Sequence, residues 1–91
     1  MTKWLQSGLR RDVCIAVVGL DRPTGQEIKR EVELRYESSV RPKTFHGALR
    51  ALVDDGFLDR EAEGIHDRYS LTDAGRARLD EQYEWMSERV A

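Results

Sequence analysis

Hydrophobic positions along the chain recur at helical spacing in four stretches. Leu9, Val13, Ala16, Val17 and Leu20 fall at i, i+4, i+7, i+8 and i+11, one face of a helix that starts near Ser7 or Gly8. Asp21-Arg22-Pro23 stops it, because proline cannot continue a helix and restricts the residue before it. Thr24-Gly25-Gln26-Glu27 reads as a capping box. In such a box the threonine hydroxyl takes the third amide and the glutamate reaches back to the threonine amide. A second helix follows to about Glu37, with Ile28, Val32 and Tyr36 as its apolar face. Pro42 suits the first turn of a third helix, where its missing N–H costs nothing. There Phe45, Ala48, Leu49, Leu52 and Val53 share the inner face, and Asp55-Gly56 ends the helix. Its outer face carries Lys43, Thr44, His46, Gly47 and Arg50.

The period then changes. Residues 57–61 (Phe-Leu-Asp-Arg-Glu) form a short strand candidate, residues 62–67 a turn region with Gly64 near its tip, and residues 68–71 an alternating return strand. Thr72-Asp73-Ala74-Gly75 caps a last helix, along which Leu79, Tyr83, Met86 and Val90 repeat, with Trp85 slightly off the stripe. The expected fold is mainly α with a small β-hairpin, in the order α-α-α-β-β-α. A second and third helix joined by a short connector and followed by a hairpin is the arrangement of a winged helix-turn-helix.

Ninety-one residues make one domain, residues 1–91, too small to bury a large core alone. Cys14 is the only cysteine, so no intramolecular disulfide can help, and a partner subunit or ligand is expected. The longest apolar run, residues 14–20, is far short of the roughly 20 residues that span a bilayer. The first twelve residues lack the features of a secretory signal. The reading is therefore a cytoplasmic chain without membrane contact.

Charge is distributed unevenly. Residues 1–50 hold ten Lys/Arg against six Asp/Glu, and residues 51–91 five against eleven. Residues 38–53 contain Arg41, Lys43 and Arg50 and no acid, which marks the outer side of the third helix as an anion-facing surface. Twelve arginines and three lysines beside seventeen acids fit either a GC-rich genome or a salt-adapted proteome. In molar salt the screening length falls to about 3 Å, and close hydrogen bonds and shape would then carry specificity.

An enzyme lacks parts here. One cysteine, two histidines twenty residues apart and no glycine-rich phosphate loop supply neither a nucleophile–base pair nor a metal triad. No cofactor or metal is expected. Cys14 lies among apolar residues and reads as a small core side chain rather than a redox sensor.

Residues 43–81 resemble the PadR-type transcriptional regulators. That family's recognition helix has the form T-[LF]-[YH]-x-A-L-x-x-L, followed by G-[FL]-[LIV] opening the wing and Y-x-L-T-x-x-G closing it. Thr44-Phe45-His46, Ala48-Leu49, Leu52, Gly56-Phe57-Leu58 and the run from Tyr69 to Gly75 match position by position. Gly25 and Ile28 match the family's G-x-x-I start of its second helix. The likeness covers roughly residues 9–82 and is greatest to short haloarchaeal, phage-repressor-like members. It departs at His46-Gly47, where many members have Tyr-Pro, and in a C-terminal region of one helix only.

The resemblance implies a homodimeric repressor of transcription on double-stranded DNA with an inverted-repeat operator. A major groove about 12 Å wide admits one helix, whose residues reach base edges. Lys43, Thr44, His46, Gly47 and Arg50 would face that groove beside Arg41, with Arg60, His66 and Arg68 on the wing. Arg50 would pair with guanine or hold a phosphate, and Lys43 would hold a phosphate. Residues 1–12 and 73–91 would form the dimer interface through Trp4, Leu5, Leu9, Leu79, Tyr83, Trp85, Met86 and Val90. Two alternatives stand beside this reading. The last helix could instead pack onto its own first helix, and the domain could be a winged-helix protein-interaction module that never touches DNA.

Overall fold

The computed structural model describes residues 8–90. Four helices and one hairpin follow the expected order: α1 (Gly8–Gly19), α2 (Gly25–Tyr36), α3 (Pro42–Asp54), β1 (Leu58–Glu63), β2 (His66–Leu71) and α4 (Asp73–Val90). The core lies where the first three helices meet. Val13, Cys14, Ala16 and Val17 of α1 pack with Ile28 and Val32 of α2, with Phe45, Leu49 and Leu52 of α3, and with Leu58 and Tyr69 of the hairpin. Phe45, at zero exposure, is the largest fully buried side chain, and among the described residues no polar or charged side chain is buried.

The α2 capping box forms as its sequence dictates. The Thr24 amide donates to Glu27 Oε1 at 2.8 Å, and the Glu27 amide donates to Thr24 Oγ1 at 3.2 Å. Tyr36 departs from expectation: it is exposed rather than part of the apolar face, and its hydroxyl donates to Asp12 Oδ2 of α1. A phenol at the last turn of a helix can keep its oxygen wet while its ring leans on a neighbour.

The hairpin is longer than its sequence pattern suggests. Its strands pair antiparallel from Leu58↔Leu71 to Glu63↔His66, so the expected six-residue turn region shrinks to Gly64 and Ile65. Gly64 takes a φ of 64°, as the first position of a type II′ turn demands. In β1 only Leu58 is buried, which explains why no apolar alternation marks the strand. The hairpin projects and is anchored at its base.

That base is fastened to the α1–α2 connector. The Tyr69 amide donates to the Pro23 carbonyl at 2.9 Å, and Thr24 forms an isolated antiparallel bridge with Arg68. To reach this position Arg22 adopts φ 48°, a left-handed state that costs a residue with a side chain about 1 kcal/mol. The Arg22 carbonyl accepts a hydrogen bond from Arg68 Nη1 at 2.9 Å, and its guanidinium reaches Glu61 at 2.8 Å and Glu63 at 3.2 Å.

Candidate nucleic-acid interface

Helix α3 has the sharpest division of faces in the chain. Phe45, Ala48, Leu49 and Leu52 are buried, and Arg41, Lys43, Thr44, His46, Gly47 and Arg50 are all exposed on the outside. The His46 ring stands edge-on to the Phe45 ring, with centroids 5.7 Å apart, which seats the imidazole against the core phenyl. Arg41 is the N-cap residue and makes no side-chain cap, and Pro42 follows in the first turn. The leading amides of α3 thus have no side-chain acceptor, unlike those of α2, and the positive end of the helix faces outward beside Lys43.

Among the described residues, Arg41, Lys43 and Arg50 form no ion pair or side-chain hydrogen bond. The hairpin differs. Arg60 lies 3.9 Å from Asp67, and Arg68 is half-buried, 3.4 Å from Glu63 and 3.9 Å from Glu27. Register places Arg68 and His66 opposite Glu61 and Glu63 on one hairpin face, and Arg60 opposite Tyr69 on the other. The structure thus gathers six of the nine expected DNA-facing residues at α3, and leaves Arg60, His66 and Arg68 on an acid-rich hairpin whose arginines already have partners. The brace of Arg22, Glu61, Glu63 and Arg68 was not foreseen, since nothing local in the sequence shows that a left-handed Arg22 turns its carbonyl to the wing.

Of the expected interface residues, Trp4 and Leu5 lie outside the described residues. Leu9 and Leu79 pack against the intrachain core. Tyr83, Trp85, Met86 and Val90 are exposed, Val90 at 80%. Their stripe does not stand alone: Leu79, Tyr83, Met86 and Val90 line a groove with Ile15 and Val18 of α1, bounded by Arg11 and Arg76. Trp85 lies off this groove and carries the Arg89 guanidinium 4.5 Å from its ring centroid. Within one chain α4 leans on α1 through Leu79, and its C-terminal half is left open by the described residues. Ile15 and Val18 were missed as members of this surface. Their signal was the unbroken apolar run at 14–20, which exceeds what one helix face can bury.

Other chemistry is sparse. Cys14 is wholly buried, and burial pushes its thiol pKa up to about 12, so it carries no reactive thiolate near neutral pH. Among the described residues no cluster of His, Cys, Asp or Glu could hold a metal ion, and no helix is long and apolar enough to cross a membrane.

No protein-family model and no curated protein matches the chain. Its fold has clear relatives among solved structures. The protein resembles RosR of H. salinarum, grown from NaBr, at 25% identity and a TM-score of 0.85, over 96% of this chain and 80% of that one. F93 from STIV, a winged-helix DNA-binding protein, superposes with a TM-score of 0.77 at 18% identity, covering 98% of this chain and 97% of that one. SSV1 F-93 follows with a TM-score of 0.63 at 18% identity, over 94% of this chain and 98% of that one. The chain has the winged-helix fold, with α2 and α3 as the helix-turn-helix and β1–β2 as the wing.

Proposed function

We propose that this chain is a double-stranded DNA-binding transcriptional regulator that enters the major groove with α3. The observation that carries the reading is the outer face of that helix: three cations without partners among the described residues, a helix start with no side-chain cap from its N-cap residue, and no acid between residues 38 and 53. In a protein with more acids than bases, keeping one face free of carboxylates fits an anionic partner. The likeness to F93, a DNA-binding winged-helix protein, supports the same reading.

In this reading Lys43, with Arg41, holds backbone phosphates at the start of α3, and Thr44, His46, Gly47 and Arg50 face base edges. Arg50 takes guanine O6 and N7 in the bidentate manner. His66, Arg60 and Arg68 of the wing lie beside the adjacent backbone, with the smaller part because both arginines share their charge with acids. Two copies join through the α1–α4 groove and place two recognition helices about one DNA turn, roughly 34 Å, apart on an inverted repeat. The match to the PadR-type motifs supports a repressor of that kind.

Fluorescence anisotropy against duplex from the protein's own upstream region, beside a scrambled duplex, at low and high potassium chloride, tests the reading. Selective binding that persists in high salt and weakens in Arg50→Ala is the expected result. Equal binding to both duplexes that vanishes with salt would leave only a nonspecific basic face. Absence of binding under every condition would turn the domain into a protein-interaction module.

A further inference from the structure

The middle of the α3 outer face has no side chain. Gly47 is exposed at the sixth position of a thirteen-residue helix, and a Cβ built on it meets nothing within 4 Å among the described residues. Its φ is not positive, so no backbone conformation calls for glycine there. Glycine is also the poorest helix former after proline. Neither packing nor backbone geometry among the described residues calls for glycine here, so the space it leaves is available to an external contact.

The surroundings indicate which contact. Lys43 and Thr44 lie one turn before Gly47 and Arg50 one turn after it, on the same face and within about 6 Å between Cβ positions. Long polar side chains thus rim a shallow notch floored by bare backbone. Within a helix the amide of this floor is already hydrogen-bonded, so the surface offered is the Cα methylene, which is apolar. A major-groove floor presents donors and acceptors from every base pair but only one apolar group, the 5-methyl of thymine.

We propose that Gly47 is a specificity-determining residue whose notch seats a thymine 5-methyl group, next to the base pair addressed by Arg50. This rests on the DNA-binding reading above and locates the closest approach of α3 to the groove floor at the middle of the helix rather than at its start. A methyl group on the protein and a methyl group on the base would compete for the same space.

That competition is measurable. Duplexes selected from a random library by the whole wild-type chain are prepared with each thymine in turn replaced by uracil, which lacks only the 5-methyl group. Wild-type protein is expected to lose about fourfold in affinity at one thymine per half-site, the worth of one buried methyl. Gly47→Ala is expected to bind the thymine duplex at least tenfold more weakly and to recover when that same thymine becomes uracil. It should also melt at a higher temperature, which separates the binding loss from any folding defect. Gly47→Ala binding the thymine duplex as tightly as wild type, or uracil affecting both proteins equally, would overturn the notch and leave the role of α3 standing if Arg50→Ala still loses selectivity. Failure of the wild-type chain to select any sequence would sink both.

Discussion

Gly75 sits directly against the backbone of Phe57: a Cβ built on Gly75 would lie 2.2 Å from the Phe57 carbonyl oxygen and 3.0 Å from Leu71 Cδ1. The same junction is tied by hydrogen bonds. Thr72 Oγ1 donates to the Gly56 carbonyl at 2.6 Å and accepts from the Gly75 amide at 3.0 Å, and the Thr72 amide donates to the Phe57 carbonyl at 3.1 Å. One threonine thus caps α4 and clamps its start to the segment that opens the wing. Gly75→Ala should destabilise the fold by about 3 kcal/mol, because backbone rather than a flexible side chain must move. Thr72→Ala should cost about 1–2 kcal/mol through the lost cap. Urea denaturation of the two variants checks both values, and a Gly75→Ala protein as stable as wild type would contradict the close approach.

A second prediction concerns the α1–α4 groove. Ile15→Glu and Met86→Glu place a charge on opposite walls of an apolar surface that the described residues leave open. Each should shift sedimentation from dimer to monomer and weaken DNA binding by at least tenfold while leaving the helical circular dichroism intact. Trp85→Ala, off the groove, should change the oligomeric state least. A wild-type chain that sediments as a monomer at all concentrations would end the dimer assignment.

The pH response has two limbs. Burial holds the Cys14 thiol up at about 12. Burial followed by the bond to Asp12 puts the Tyr36 hydroxyl at about 12 as well. For both, the folded pKa is above the unfolded one, so their contribution is complete below about pH 9 and is lost as pH rises toward 12. Glu27 and Glu33 behave oppositely. The Thr24 backbone N–H holds the Glu27 carboxyl below its ordinary value, and the Lys29 ammonium at 2.8 Å does the same for Glu33. Their contribution is present above the usual carboxylate range and fades as pH falls through their lowered values. Urea midpoints measured from pH 3 to 11 should show a plateau between about pH 5 and 9 with a decline on each side. Cys14 should resist a thiol reagent at pH 8 until urea unfolds the chain.

Much of this molecule can be read along the chain because its elements are locally announced. The box at Thr24 and Glu27, Pro42 and the inner stripe of α3 fix three helix starts or faces with signals only a few residues long, and the outer face of α3 follows by subtraction. What escapes is set by distance in sequence. The last two residues of β1, Ala62 and Glu63, are held by the partner strand and not by any alternation of their own, so their sequence reads as part of the turn. Tyr36 finds its acceptor 24 residues away on α1. Arg68 reads from sequence only as a wing cation, because the acids that engage it lie on β1 and α2, and only the fold brings them close. Ile15 and Val18 look like surplus core until α4 shows the groove they help to line.

Arg50 and Arg68 should therefore respond differently to removal. Arg50→Ala is expected to leave thermal stability within about 0.5 kcal/mol of wild type, as an exposed unpaired surface residue should. It should also reduce discrimination between operator and scrambled DNA by roughly tenfold. Arg68→Ala should lower stability, since it removes the hydrogen bond to the Arg22 carbonyl, with a smaller effect on discrimination. Parallel melting curves and binding isotherms check the pair. A reversed order would move base recognition from the helix to the wing.

If the chain binds DNA as proposed, the carboxylates of the wing make its grip adjustable. Glu61 and Glu63 hold the guanidinium of Arg22, and Glu63 also holds that of Arg68, so these two positive charges stay masked on the wing and at its base. A single acid-to-amide change at either glutamate would unmask part of it without touching the core or α3. Under the proposed function, a lineage carrying this sequence thus has a short mutational route from a discriminating reader to a tighter, less selective one, and the same route back.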